Sequence, residues 1–130
     1  MKIPKTHREF YELDMNEGWE TPHGYPAGIK QKIISGVLDE KNKTGSRSRL
    51  IKFEPGAFTT VPFKHDYWEE IFVFEGDLRV GNDLQGKGGE RFGPMTYAVR
   101  PPGSFHGPCA SDKGCMVFEI HYYDEEDKPK

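Results

Sequence analysis

Cysteine is scarce in this chain, with only Cys109 and Cys115 among 130 residues. Two thiols cannot build a disulfide framework, so the fold must close on its own core, and both are expected to be free and packed. Long apolar runs are missing too. Nothing approaches the ~18 residues that a membrane-spanning helix needs, and the opening M-K-I-P-K-T-H-R-E-F has no apolar stretch of the signal-peptide kind. The default expectation is a cytoplasmic protein with no membrane partner. A basic stripe is also lacking: net charge is -3, with Lys and Arg scattered among acids, so nucleic acid is not expected as a partner. Helical periodicity is scarce. The one candidate is a short turn capped by Thr6, with Glu9 at the capping-box position.

What is present is turn chemistry and short extended segments. Fifteen glycines and ten prolines separate β-branched and aromatic runs, and 13% of residues are aromatic, which together describe one all-β domain, a sandwich or barrel. Strands are expected over 29–38, from Arg49 to Glu54, over 69–74, after Gly76, over 96–99 and over 115–123. On the last of these, Met116, Phe118, Ile120 and Tyr122 share one face, and Cys115, Val117, Glu119, His121 and Tyr123 the other. Residues 1–28 form an N-terminal arm carrying Trp19 and Tyr25, residues 29–124 the barrel, and residues 125–130 a charged C-terminal tail.

Two stretches carry chemistry. In V-P-F-K-H-D-Y-W-E-E-I-F-V-F-E-G, His65 stands four residues before Glu69, and both can face one side of an extended chain, whereas Glu70 faces the other. In R-P-P-G-S-F-H-G-P, His106 follows a turn and is expected beside them through antiparallel pairing. Two imidazoles and one carboxylate are the facial set that holds non-haem Fe(II) with open positions, and Mn, Ni or Zn can occupy the same donors. The plainer alternative is a hydrogen-bonded polar pair at the barrel mouth with no ion.

These residues resemble the two motifs of the cupins, small jelly-roll barrels also described as double-stranded β-helices. The first motif is glycine, five residues, His-x-His, three or four residues, Glu, six residues, Gly; His65, Glu69 and Gly76 match its second half. The second is glycine, five residues, Pro-x-Gly, two residues, His, matched by Pro101, Gly103 and His106. The resemblance spans roughly residues 50–122. The chain departs from it at Phe63, where the first histidine belongs, at Gly93, which stands eight residues before Pro101 instead of six, and at Ala110, where the family tends to place asparagine. The implied ligand set is therefore His65, Glu69 and His106, one histidine short of the usual four.

Around that set the sequence offers Phe63, Arg100, Phe105 and His121 as candidate substrate-binding residues. Phe63 and Phe105, with Phe58, Tyr67 and Trp68, are candidates for an aromatic lining. Arg100 can anchor an anion through its planar fork, or make a surface ion pair. His121 is either a replacement ligand or a rim histidine, and strand alternation alone favours the rim. The resemblance implies a divalent metal, Fe(II) foremost, and an enzyme of dioxygenase type acting on a diketone, keto acid or aromatic substrate. Two alternatives stand beside it: a metal-free binding or sensor cupin, and a cupin isomerase or decarboxylase. The resemblance also implies a homodimer, with the arm as a candidate exchanged segment.

Overall fold

The computed structural model describes residues 3–124; the charged tail over 125–130 lies outside the described residues. No helix forms among the described residues. The turn expected at Thr6 and Glu9 is therefore absent: a capping box without an apolar stripe to pack gives too little to offset helix nucleation. Instead the arm runs along the sheet. Ile3 bridges Gly36, and β1 (Trp19–Glu20) pairs with the strand that follows the arm.

Eleven strands are defined among the described residues. β2 (Ile29–Asp39) and β3 (Thr44–Phe53) make a long hairpin. Then come β4 (Phe63–Lys64), β5 (Trp68–Gly76), β6 (Leu78–Val80) and β7 (Glu90–Phe92). β8 (Thr96–Arg100), β9 (Phe105–His106), β10 (Cys109–Ala110) and β11 (Cys115–Tyr122) complete the chain. A six-stranded antiparallel sheet runs β1-β2-β3-β11-β5-β8, and it is faced by a three-stranded β10-β6-β7 sheet and a β4-β9 ribbon. This is a jelly-roll barrel, and all of its pairings are antiparallel.

Strand β3 begins five residues before the apolar alternation does. Its first half, T-G-S-R-S, looks like a polar connection, yet β2 supplies a partner for each of these residues, and the inward positions at this end of the strand are Arg47 and Arg49. The inward side chains of β11 divide the barrel in the same way. At one end Cys115 and Val117 join Ile29, Ile51, Phe53, Ile71, Val73 and Leu78 in the apolar core. Each of these large side chains contributes roughly 1.5–3 kcal/mol by leaving water. At the other end β11 turns Glu119 and His121 inward, and the barrel becomes polar.

Gly76, the last residue of the first motif, explains itself sterically. Its φ is +80°, and a Cβ there would lie 2.0 Å from the Gly114 carbonyl oxygen and 2.7 Å from the Cys115 Cα. Between β7 and β8 the position six residues before Pro101 is Met95, whose φ of 71° places a non-glycine residue in the left-handed region. The turn thus keeps a glycine-like backbone, and Gly93 lies just ahead of it without taking that role. Cys109 and Cys115 are both free. Burial pushes the first thiol up to about 11 and the second to about 12, which makes them packed groups and poor nucleophiles.

Candidate metal centre

Four strands meet in register at the polar end. Arg47 on β3 is the cross-strand partner of His121 on β11, His121 of Glu69 on β5, and Glu69 of Arg100 on β8. Because partners in register share a face, all four side chains point into the barrel and touch in sequence. Arg47 Nη2 lies 2.9 Å from His121 Nδ1, His121 Nε2 lies 2.9 Å from Glu69 Oε2, and Arg100 Nη1 donates to Glu69 Oε1 at 3.2 Å. An arginine can only donate, so Nδ1 of His121 accepts and the ring hydrogen sits on Nε2, from which it is donated to Glu69. Glu69, 2% exposed, is thereby held from both sides.

A second row lies beside the first. Arg49 and Glu119 are direct partners, and Arg49 donates from Nε and Nη2 to Glu119 Oε1 at 2.9 and 2.8 Å. Gln31 accepts from Arg49 Nη1 at 2.7 Å. Burial opposes the charge on each partner, but the attraction between them prevails. Glu119 is held well below the usual carboxylate range, by Arg49 with help from His121, and Arg49 well above its own.

His65 and His106 complete the centre from the opposite layer. His106 lies on β9, paired with Phe63 on β4, and the Gly103 N–H donates to the His65 carbonyl at 2.7 Å. These two backbone ties bring the two sequence motifs together. The imidazole centroids are 4.8 Å apart, and His106 Nε2 lies 3.6 Å from Glu69 Oε1. Nε2 of His65 and Nε2 of His106 are both buried without a hydrogen-bond partner. Buried polar atoms are nearly always satisfied, since an orphan costs about 1–3 kcal/mol. Two orphans turned toward one carboxylate make a donor set that suits a divalent cation. His65, Glu69 and His106 each offer one ligand atom, all within 4.8 Å of one another. Burial, reinforced by His106, lowers His65 to about 4, and burial lowers His106 too, so both rings are neutral at pH 7, the form that coordinates metal.

The other candidate residues fall into place by strand alternation. Phe63 fills the missing histidine's position with a ring stacked between Tyr25 at 4.7 Å and His106 at 5.7 Å, so it packs the centre without offering a donor. Phe105 is not brought to the interior. It precedes the inward His106 on β9 and therefore turns out, 69% exposed, with Lys64 Nζ 5.2 Å above its ring. Glu70 likewise faces outward and accepts from the Tyr97 hydroxyl. Trp68 stacks on Tyr122 along the same outer face. The rim position favoured for His121 is corrected: the residue is 0% exposed, and with its Nε2 hydrogen committed to Glu69 it supports a ligand instead of replacing one. A second triplet, Glu69, Glu119 and His121, also lies within ligand spacing, but its hydrogen bonds to Arg47 and Arg49 already satisfy it.

Arg47, Arg49 and Tyr25 were not singled out for the centre from sequence; the register reveals the two arginines. Tyr25 arrives from the arm. Its hydroxyl is pushed up to about 12 by burial and by Glu119. With Phe63, Arg100, His106, Cys109 and Glu119 it lines an inner cavity of about 40 Å³, space for about one water molecule.

Residues 20–123 match the family model described as the ChrR cupin-like domain. The chain belongs to the ChrR cupin-like family. No curated protein is matched by the chain. Among solved structures, KdgF from Halomonas sp. superposes with a TM-score of 0.63 at 21% identity, over 88% of this chain and 95% of that one. An acetylacetone dioxygenase from Acinetobacter johnsonii gives 0.64 at 16% identity, over 98% and 86%. The anti-sigma factor ChrR of Rhodobacter sphaeroides, in complex with SigE, gives 0.58 at 18% identity, over 85% and 51%. These likenesses concern the fold. In this ChrR cupin-like chain Phe63 stands beside the centre, and the His121 and Arg47 row secures Glu69.

Proposed function

We propose that this cupin is a metal-dependent enzyme of dioxygenase type, acting on a small diketone, keto acid or aromatic molecule at His65, Glu69 and His106. The observation that carries the reading is the pair of buried, unpartnered imidazole nitrogens beside Glu69. Two imidazoles and a carboxylate are the donors of non-haem Fe(II) oxygenases, so Fe(II) is the expected ion, and Mn, Ni or Zn suit the same atoms. When bound, such an ion supplies Lewis acidity and, as iron, a path for electrons to dioxygen.

The chain's own residues do the rest. His121 and Arg47 hold Glu69 in one orientation, Phe63 and Tyr25 keep bulk water from His106, and Arg100 places a positive charge at the open side. One relative in fold is an acetylacetone dioxygenase, which supports the choice of substrate classes without deciding among them. The test is dioxygen uptake by Fe(II)-reconstituted protein against a panel of 1,3-diketones, 2-oxo acids and catechols. Turnover of one class, abolished in His106→Ala, is the expected result.

A second reading is a sensor or binding cupin without turnover. The specific observation in its favour is the small volume of the inner cavity beside His106, about 40 Å³. Binding of a panel compound with neither dioxygen uptake nor any chemical change in that compound would favour it.

A further inference from the structure

Arg100 stands at the end of the inward row, on the edge strand of the large sheet, and its surroundings differ from those of the other two arginines. Arg49 spends three N–H groups on Glu119 and Gln31, and Arg47 spends two on His121. Arg100 has one acceptor among the described residues, Glu69 Oε1, and its side chain is 21% exposed. Beside it, between β8 and the β6–β7 ribbon, a cleft of about 260 Å³ opens to solvent. Ile71, Val73, Val80, Phe92 and Ala98 give it apolar walls. Arg100, Ile71 and Leu78 line this cleft and the inner cavity alike, so the guanidinium is where the two spaces adjoin.

Charge counting sharpens what such a place attracts. The two inward rows hold three guanidiniums, of Arg47, Arg49 and Arg100, against two carboxylates, of Glu69 and Glu119, which leaves one positive charge before any ion is present. A divalent cation on His65, Glu69 and His106 would raise this to three and draw Glu69 away from Arg100. Burying unbalanced charge is costly, and an anion on Arg100 is the remedy within reach.

We propose that the cleft between β8 and the β6–β7 ribbon binds a small carboxylic acid with a compact apolar body, Arg100 clamping the carboxylate and the apolar walls holding the body. The proposal deepens the functional reading above and rests on its metal site. A carboxylate takes the unused N–H groups of Arg100 in the fork geometry that suits it, and lies next to the partner of Glu69. The cleft is smaller than the ~300–1,000 Å³ of pockets that hold drug-sized ligands, so one ring or a short chain fills it. The exposed Glu90 on the same wall disfavours a second acidic group on the body.

The test is titration calorimetry of Mn(II)-loaded protein with four probes: 3-phenylpropanoate, 3-phenylpropan-1-ol, 3-phenylpropylamine and acetate. The expected result is 3-phenylpropanoate binding at least tenfold tighter than each of the others. Arg100→Gln and the cleft-filling Ala98→Phe should each weaken it about tenfold or more while Mn(II) still binds. Arg100→Lys, which retains a charge for Glu69 but lacks the fork, should lose affinity as well and guards against a folding defect in Arg100→Gln. Because coupling is reciprocal, 3-phenylpropanoate should tighten Mn(II) binding by the factor by which Mn(II) tightens its own. Equal binding of acid and alcohol, acetate as tight as 3-phenylpropanoate, or indifference to Arg100→Gln would each overturn the anion site and leave the metal site standing. Failure to take up Mn(II) at all would overturn both.

Discussion

Replacing Glu119 by glutamine leaves the Arg49 guanidinium buried without a counter-charge, and the cost can be worked from its surroundings. The side chains of Arg49 and Glu119 are 6% and 11% exposed, so water cannot replace the lost partner. Removing one member of a buried ion pair costs about 3–5 kcal/mol. Glutamine keeps a carbonyl oxygen where Oε1 stood and can still accept from Arg49, so the lower end, ~3 kcal/mol, is expected. For a domain of this size that is a fall in Tm of roughly 10 °C. Urea denaturation of wild type, Glu119→Gln and the apolar double variant Arg49→Met with Glu119→Leu measures it, the double variant recovering most of the loss.

The pH dependence supplies an internal check on the same pair. The Glu119 carboxyl is held below its usual range when folded, so its contribution is present above the unfolded carboxylate value of ~4.5 and is lost as pH falls toward the folded one. Wild type should therefore weaken on acidification below about pH 5 more steeply than Glu119→Gln. A loss under 1 kcal/mol at pH 7, or parallel acid limbs in the two proteins, would refute the reasoning.

Three further outcomes are expected. Met95→Gly should gain up to ~1 kcal/mol, read as a higher urea midpoint, because it relieves a left-handed residue whose side chain is 76% exposed, less the entropy that glycine adds to the unfolded chain. Metal affinity should fall by less than the ~tenfold between pH 7 and 6 that two histidines of ordinary pKa would give, since burial lowers His65, to about 4, and lowers His106 as well; a full tenfold loss over that interval would contradict it. We also propose a homodimer through the outer face of β5 and β8, where Phe74, Tyr97 and Val99 are 36%, 55% and 48% exposed, and light scattering should return twice the mass of one chain.

The all-β jelly roll was legible because turns and apolar segments alternate along the chain, and Gly76, Pro101 and Gly103 are punctuation that only certain backbones accept. The proximity of His65, Glu69 and His106 was legible by spacing. The ladder that holds Glu69 was not, since Arg47, His121, Glu69 and Arg100 come from four strands whose register no local pattern encodes. Arg47 reads as part of a polar connection, and Arg49 as the first residue of a strand, until their partners on β11 are known to be His121 and Glu119. His121 read as a rim residue for a related reason. Val117 on its face marks that face as core, but the switch from apolar to polar along one face of β11 mimics a strand leaving the barrel.

The proposed chemistry depends on whether His65, Glu69 and His106 hold a divalent ion. Elemental analysis and calorimetric titration with Fe(II) under argon, Mn(II), Ni(II) and Zn(II), on chelator-free wild type and on His106→Ala, measure this. Close to one ion per chain is expected in wild type, and a loss of ten- to a hundredfold or more in affinity in the variant. A wild type that carries no metal and gains none from any of the four, or a His106→Ala that binds as tightly, would contradict the proposed chemistry.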